Sequence, residues 1–313
     1  LKKSVFLLTV ILLFATILSL AVTKVILINP LGPTTIPISP LMNGKITTDF
    51  DVNVKLWKNP DEALALLSSN EVNFAVLPIT AGAIFYTKGI KIQLLGVYEW
   101  KVFYLIARKG LSFKNWKSLI GKSVYTPNGR GQTVDVLMRY LLAKNGIEPD
   151  KDVKIEYAPP QEIVALFKSA KVDYAALPEP FVTMAISNGD GKIVLDFQKS
   201  WGESMNLPNR IPIAGLFVKK DFIKTHPKIT SEVERAFSSS IEWMNENLKE
   251  TLNLSKKYLK IPSSILENSM KRMDFHYIAI SRCSTEVSLF LEKIHQIYPK
   301  GMPKLPDKGF YGR

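Results

Sequence analysis

Between residues 24 and 219, short apolar runs alternate with amphipathic stretches. That is the pattern of strands interleaved with helices in an α/β protein. The runs at 24–29, 52–57, 74–77, 92–98, 103–108, 122–125, 153–157, 174–177 and 211–218 predict strands. From about residue 230 to residue 298 apolar positions recur at helical spacing, so helix is expected throughout that stretch.

Sliding the chain on itself exposes an internal repeat. Residues 60–78, PDEALALLSSNEVNFAVLP, return at 160–178 as PQEIVALFKSAKVDYAALP. With Gly89 and Gly189 included, about ten of thirty aligned positions are identical without a gap. Each copy reads as a helix with an acid in its first turn, Glu62 or Glu162, where the helix dipole favours negative charge. Leu64 and Leu67 in one copy, Val164 and Phe167 in the other, give that helix an apolar stripe. A short buried strand follows, then a Pro that stops it, then a second helix ending near the Gly. Open α/β sheets bind ligands beyond the carboxyl ends of their strands. The repeat therefore predicts two lobes facing each other, with equivalent loops at 78–80 and 178–180.

The chain from Tyr125 to Thr133, YTPNGRGQT, links a strand to a long helix with apolar residues at Val134, Leu137, Met138, Leu141 and Leu142. Gly129 and Gly131 permit close backbone approach, and free N–H groups at the helix start can hold an anion or polar oxygens. The alternative is a plain turn with Thr133 as cap. The segment lacks a full dinucleotide fingerprint and a phosphate-loop Lys-Ser/Thr pair, which argues against a nucleotide site. Glu179 offers a carboxylate at the cleft edge for an amine or ring N–H; otherwise it is a solvated loop acid. Trp57, Tyr98 and Trp100 are candidate flat surfaces for an aromatic ligand, or else packing residues.

Composition changes this picture in three ways. Residues 5–18 are almost unbroken apolar sequence after Lys2 and Lys3, and Ser19-Leu20-Ala21 supplies small residues, the layout of a secretory signal peptide over 1–21. An uncleaved membrane anchor is the competing reading. Cys283 is the single cysteine, so no disulfide framework exists, and it reads as a small buried hydrophobe. The formal charge of +13 comes from 41 basic residues scattered without a dense cluster. That distribution argues against a nucleic-acid partner and suits an anionic ligand or a nearby anionic membrane surface.

The run VDYAALPEP at 172–180, its preceding helix, and Gly121-Lys-Ser-Val with the Gly-rich loop resemble one family. It comprises the periplasmic binding proteins of ABC importers for nitrate, taurine and other sulfonates, and thiamine-pyrimidine precursors. The resemblance implies a type II periplasmic-binding-protein fold: lobe I from 22–108 plus 214–313, lobe II from 109–213, and a two-crossing hinge. It also implies a monomer that captures a small organic or anionic solute by hinge closure and delivers it to a permease. By position, the ligand loops fall on Gly32, Thr34 and Thr35; on Pro78 and Thr80; on Asn128, Gly129, Arg130, Gly131, Gln132 and Thr133; and on Glu179, with Trp57 beside them. The loop from Leu31 to Thr35 lacks the aromatics common in pyrimidine binders.

No catalytic residue, cofactor or metal is expected. A thiamine-pyrimidine-synthase-like enzyme on the same fold needs a reactive Lys and His by the cleft, whereas His226, His276 and His295 are expected on the back of lobe I. A membrane-held sensory binding module is the other rival. Mass analysis of the exported chain is expected to find a mature start near residue 22. A retained full-length start would favour the anchored module instead.

Overall fold

The computed structural model describes residues 24–69, 71–127 and 129–312. The expected signal segment at 1–21 lies outside them, as does Asn128. The described residues begin with strands β1 (Lys24–Pro30), β2 (Asp51–Trp57), β3 (Phe74–Pro78) and β4 (Ile92–Lys101). Helices α1 (Ser39–Met42), α2 (Pro60–Ser68) and α3 (Ile79–Thr87) lie between them. The chain passes through Val102 into β5 (Phe103–Arg108), β6 (Ser123–Pro127), α4 (Thr133–Lys144), β7 (Lys154–Ala158) and α5 (Pro160–Lys168). Then come β8 (Tyr174–Pro178), α6 (Phe181–Ile186), β9 (Gly191–Asp196) and α7 (Phe197–Met205). The chain returns as β10 (Ala214–Lys219), α8 (Lys220–Thr225), α9 (Pro227–Glu246), α10 (Leu248–Ser255), α11 (Ser263–Met270), β11 (Asp274–Ala279) and α12 (Ile280–Ile297).

Two sheets result, with strand orders β11-β4-β10-β3-β1-β2 and β7-β6-β8-β5-β9. Apart from β11, they have the same plan. In each, a central strand from the repeat, β3 or β8, runs parallel to its inner neighbour, β1 or β6. On its other side it runs antiparallel to the strand that has just crossed from the opposite half, β10 or β5. The repeat detected in the sequence is thus the helix–strand–helix unit α2-β3-α3 and its counterpart α5-β8-α6. Asn59 caps α2 by accepting from the Glu62 N–H, while Glu62 reaches back to the Lys58 N–H.

The cores follow from two-sided burial of the sheets. Leu27, Val76, Leu216 and Phe237 pack on one face of the first sheet. On its other face Leu77, Val97 and Phe217 join Val287 and Phe290 of α12. That cluster continues into the second half through Leu105, Leu137 and Trp201, with the Trp201 and Phe290 rings edge-on at 5.6 Å. Burying side chains of this size contributes roughly 1.5–3 kcal/mol each, so α12 ties the halves by packing as well as by chain connection.

Three features depart from the sequence reading. The run 103–108, expected to belong to the first lobe, lies inside the second sheet between β8 and β9. The apolar stretch from β4 to β5 carries no turn signal, and the change of sheet happens at the single residue Val102. The strand β9 lacked a prediction. The stretch expected to be all helix contains β11, which pairs antiparallel with the edge of β4. Its sequence, DFHYIA, is β-prone only locally, and a tertiary partner decides its state.

The outward crossing is held by one side chain. Gln198 of α7 is fully buried; its Oε1 accepts from the Val102 and Phe103 N–H groups, and its Nε2 donates to the Phe103 carbonyl. The return crossing lies alongside, with the Ile211 N–H donating to the Trp100 carbonyl and the Ile213 N–H to the Glu99 carbonyl. Gln198→Ala strands these buried backbone groups and is expected to lower unfolding stability by about 3 kcal/mol, read by urea denaturation. A loss below about 0.5 kcal/mol would mean that water replaces the amide freely.

Candidate functional site

The carboxyl ends of β1, β2 and β3 open towards the end of β6 and the loop that follows it. Between them lies a cavity of about 350 Å³ that takes its lining from both halves. From the first half come Trp57 at the end of β2, Pro78, and Thr80 and Ala81 in the first turn of α3. From the second come Arg130, Gly131 and Gln132, and from the far end of α12 come Ile294 and Tyr298.

Two helix N-termini border this space. Helix α3 starts after Pro78 and has no side-chain cap; its Ile79 N–H goes to the Ile213 carbonyl. Helix α4 starts after Gln132, again with no side-chain cap. Leading N–H groups of a helix have no intrahelical acceptor and carry a partial positive charge. Both termini therefore present donors suited to an anion.

The loop before α4 is held rigidly. Asp135 is fully buried and accepts from the Gly131 N–H at 2.7 Å, the Arg139 Nε at 2.9 Å and the Tyr157 hydroxyl at 2.8 Å. Arg139 continues to Asp150 with two further bonds, and its guanidinium holds the Asp150 carboxyl below the usual range. Arg130 is also paired with Asp150, at 3.2 Å. The cavity wall thus offers helix dipoles and neutral donors, with the Lys88 ammonium and the Asp61 carboxyl as its other charged groups.

Among the described residues, four buried side-chain polar atoms have no hydrogen-bond partner: Asn29 Oδ1, Trp57 Nε1, the Tyr98 hydroxyl and the Thr126 hydroxyl. All four lie towards the carboxyl ends of their strands β1, β2, β4 and β6. An unsatisfied buried polar atom costs about 1–3 kcal/mol; of the four, Trp57 is the one that belongs to the cavity wall.

The expected site residues are distributed unevenly. Trp57, Pro78, Thr80, Arg130, Gly131 and Gln132 share the cavity wall. Gly129 and Thr133 flank that stretch of loop without being part of the wall. Gly32 precedes a 3-10 turn, Pro33–Thr35, and the hydroxyls of Thr34 and Thr35 donate back to the Pro30 carbonyl. Glu179 is buried, and its carboxylate is occupied. One oxygen accepts from Arg272 Nε at 2.5 Å, the other from the Thr183 N–H and hydroxyl. Arg272 precedes β11, so this pair joins the two halves beside the crossings. The Thr183 partner, four residues on, is a local signal; the Arg272 partner, ninety-three residues away, carries none.

His276 is a correction. It stacks on Trp100 at 5.6 Å beside the crossing, where Arg210 covers the same ring at 4.5 Å, rather than lying on the back of the first half. Tyr98 and Trp100 are fully buried packing residues.

Comparison with known proteins is decisive at the level of family. The NMT1-like family's sequence profile matches residues 82–255, more than half the chain. The chain belongs to the NMT1-like family. Among solved structures, an ABC transporter protein from Parabacteroides distasonis is 27% identical with a TM-score of 0.78, over 92% of this chain and 98% of that one. The periplasmic aliphatic sulphonate binding protein SsuA from Escherichia coli shares the fold at 14% identity and TM-score 0.72, over 91% of this chain and 90% of its own.

In sequence, the nitrate/nitrite binding protein NrtA from Nostoc is 27% identical over 46% of this chain. This NMT1-like chain covers 32% of that relative's length. The fold is therefore the periplasmic-binding fold of ABC importers that the motifs implied. Among the described residues no helix is long and apolar enough to cross a membrane.

One titratable group of the NMT1-like chain stands out at this edge. Glu99 on β4 is buried, and burial alone pushes its carboxyl from 4.5 up to about 8. The folded state then holds a proton that the unfolded state releases above pH 4.5. Its contribution is complete at low pH and is lost as pH rises towards 8. Glu99→Gln is expected to match the parent at pH 4.5 and to exceed it at pH 9 by at most about 5 kcal/mol, measured by denaturant unfolding. Equal stability at both pH values would show that the carboxyl is not desolvated.

Proposed function

We propose that this chain is an extracytoplasmic solute-binding protein of an ABC importer and that it captures a small anion between its two halves. The observation that carries this reading is the cavity itself: residues of both halves line it, and the uncapped starts of α3 and α4 border it. Relatives named for nitrate/nitrite and for bicarbonate transport, and neighbours named for sulphonates, support an anion. The basic surface, with formal charge +13, favours the approach of such a ligand.

In this reading the lobes divide at the crossings, one at Val102 and the other between Met205 and Ala214. Trp57, Pro78 and Thr80 on one lobe, and the Gly129–Thr133 loop on the other, are the binding residues. Ligand settles against the helix starts, the lobes close about the crossings, and a permease recognises the closed form. Solute of this kind is not transformed, so the site needs no nucleophile. Residues 1–21 direct export to the periplasm, where the protein acts as a monomer.

A thermal-shift and calorimetric panel tests the proposal with nitrate, bicarbonate, methanesulfonate and taurine beside neutral and cationic controls. At least one anion is expected to raise the melting temperature by about 4 °C or more at 100 times its Kd, and Trp57→Ala to weaken it about tenfold. Stabilisation by cations alone, or by no small molecule, contradicts it.

A further inference from the structure

The aromatic ring of Tyr298 is a closely confined contact between the halves at the cavity. Tyr298 follows the last turn of α12, and its ring lies between two glycines. One is Gly131, in the loop before α4; the other is Gly301, three residues further along its own chain. A Cβ at either position would fall inside the van der Waals surface of the ring. Gly131 has φ +85°, a conformation that side chains other than glycine rarely adopt. Only a bare backbone fits against this ring.

The ring is mounted on the first half. The Gly301 and Met302 N–H groups both donate to the Tyr298 carbonyl, and His295 Nδ1 lies 2.6 Å from the Met302 carbonyl. Met302 is buried, and the tail beyond it is pinned where Tyr86 bonds Asp307 at 2.5 Å and Phe310 is fully buried. Gly131, by contrast, is fixed to the second half by the Asp135 carboxylate. Two rigid mounts therefore meet at one ring, with the cavity beside them.

We propose that Tyr298 is the docking post for the Gly129–Thr133 loop: the loop seats on its ring when the halves close and so brings the start of α4 onto the ligand. Tyr298 is a positioning residue, acting through the loop. The proposal rests on the solute-binding reading for its ligand arm alone. Contact between ring and glycine is apolar and forms only in the closed arrangement, which the chain also samples without ligand, so it slows reopening more than it speeds capture. The hydroxyl is not required.

The test uses the full chain with labels at Lys58→Cys and Lys151→Cys, two exposed positions on opposite sides of the cleft. Cys283, the only native cysteine, is buried and stays unlabelled. Pulsed electron-resonance distances are measured for the parent, Tyr298→Ala and Tyr298→Phe, without ligand and with nitrate, bicarbonate or methanesulfonate at 100 mM. Without ligand, Tyr298→Ala is expected to give a longer and broader distribution than the parent, with Tyr298→Phe unchanged. With a bound anion, Tyr298→Ala is expected to dissociate at least about tenfold faster, with an association rate within about twofold and a ligand-free melting temperature within about 2 °C of the parent.

Tyr298→Ala distances identical to the parent's overturn the docking post, as does loss of closure in Tyr298→Phe. A fall in the ligand-free melting temperature that accounts for the whole effect assigns the ring to packing and overturns it too. If none of the three anions shifts even the parent, the anion reading fails, and the ligand-free distances still decide the docking post.

Discussion

The architecture depends on an exchange of strands between two sheets. Each half is completed by the strand that has just crossed from the other: β5 inserts beside β8, and β10 inserts beside β3. Because each crossing strand runs antiparallel to the central strand of its new sheet, the carboxyl ends of both central strands lie near the crossings. The ligand edges of the two sheets must then face one another. Gln198, the bonds from Ile211 and Ile213 to the β4 carbonyls, and the Glu179–Arg272 pair all cluster on this line.

From that constraint follows the character of the cavity. Helices that begin at facing sheet edges bring their positive ends together, and two of these ends carry no side-chain cap. The nearby guanidinium groups are already committed, Arg130 to Asp150, Arg210 to Glu286 and Arg272 to Glu179, while the cavity wall also carries Lys88 and Asp61. Helix dipoles, the Thr80 hydroxyl and the Lys88 ammonium border a space walled by Trp57, Leu77 and Ile294.

How much of this could be read from the residues depended on the range of the interaction. The repeat announced the helix–strand–helix unit at the centre of each sheet, because its apolar stripe, first-turn acid and stopping Pro are local. The Gly129–Thr133 loop was legible for the same reason. The sheet membership of 103–108 was not, since nothing local marks the change at Val102. The strand β11 is set by the exposed edge of β4, and the commitment of Glu179 by a guanidinium ninety-three residues away. Tyr298 was invisible because a tyrosine after a helix gains its meaning from Gly131, on the other half.

Hydrogen exchange at single-amide resolution, with and without the stabilising anion, shows whether ligand is held between the starts of α3 and α4. Protection on ligand addition is expected at both Thr80–Ala81 and Thr133–Val134, with the outer faces of the sheets unchanged. Protection confined to one of these helix starts, or placed on a face away from the cavity, would contradict capture between the two halves.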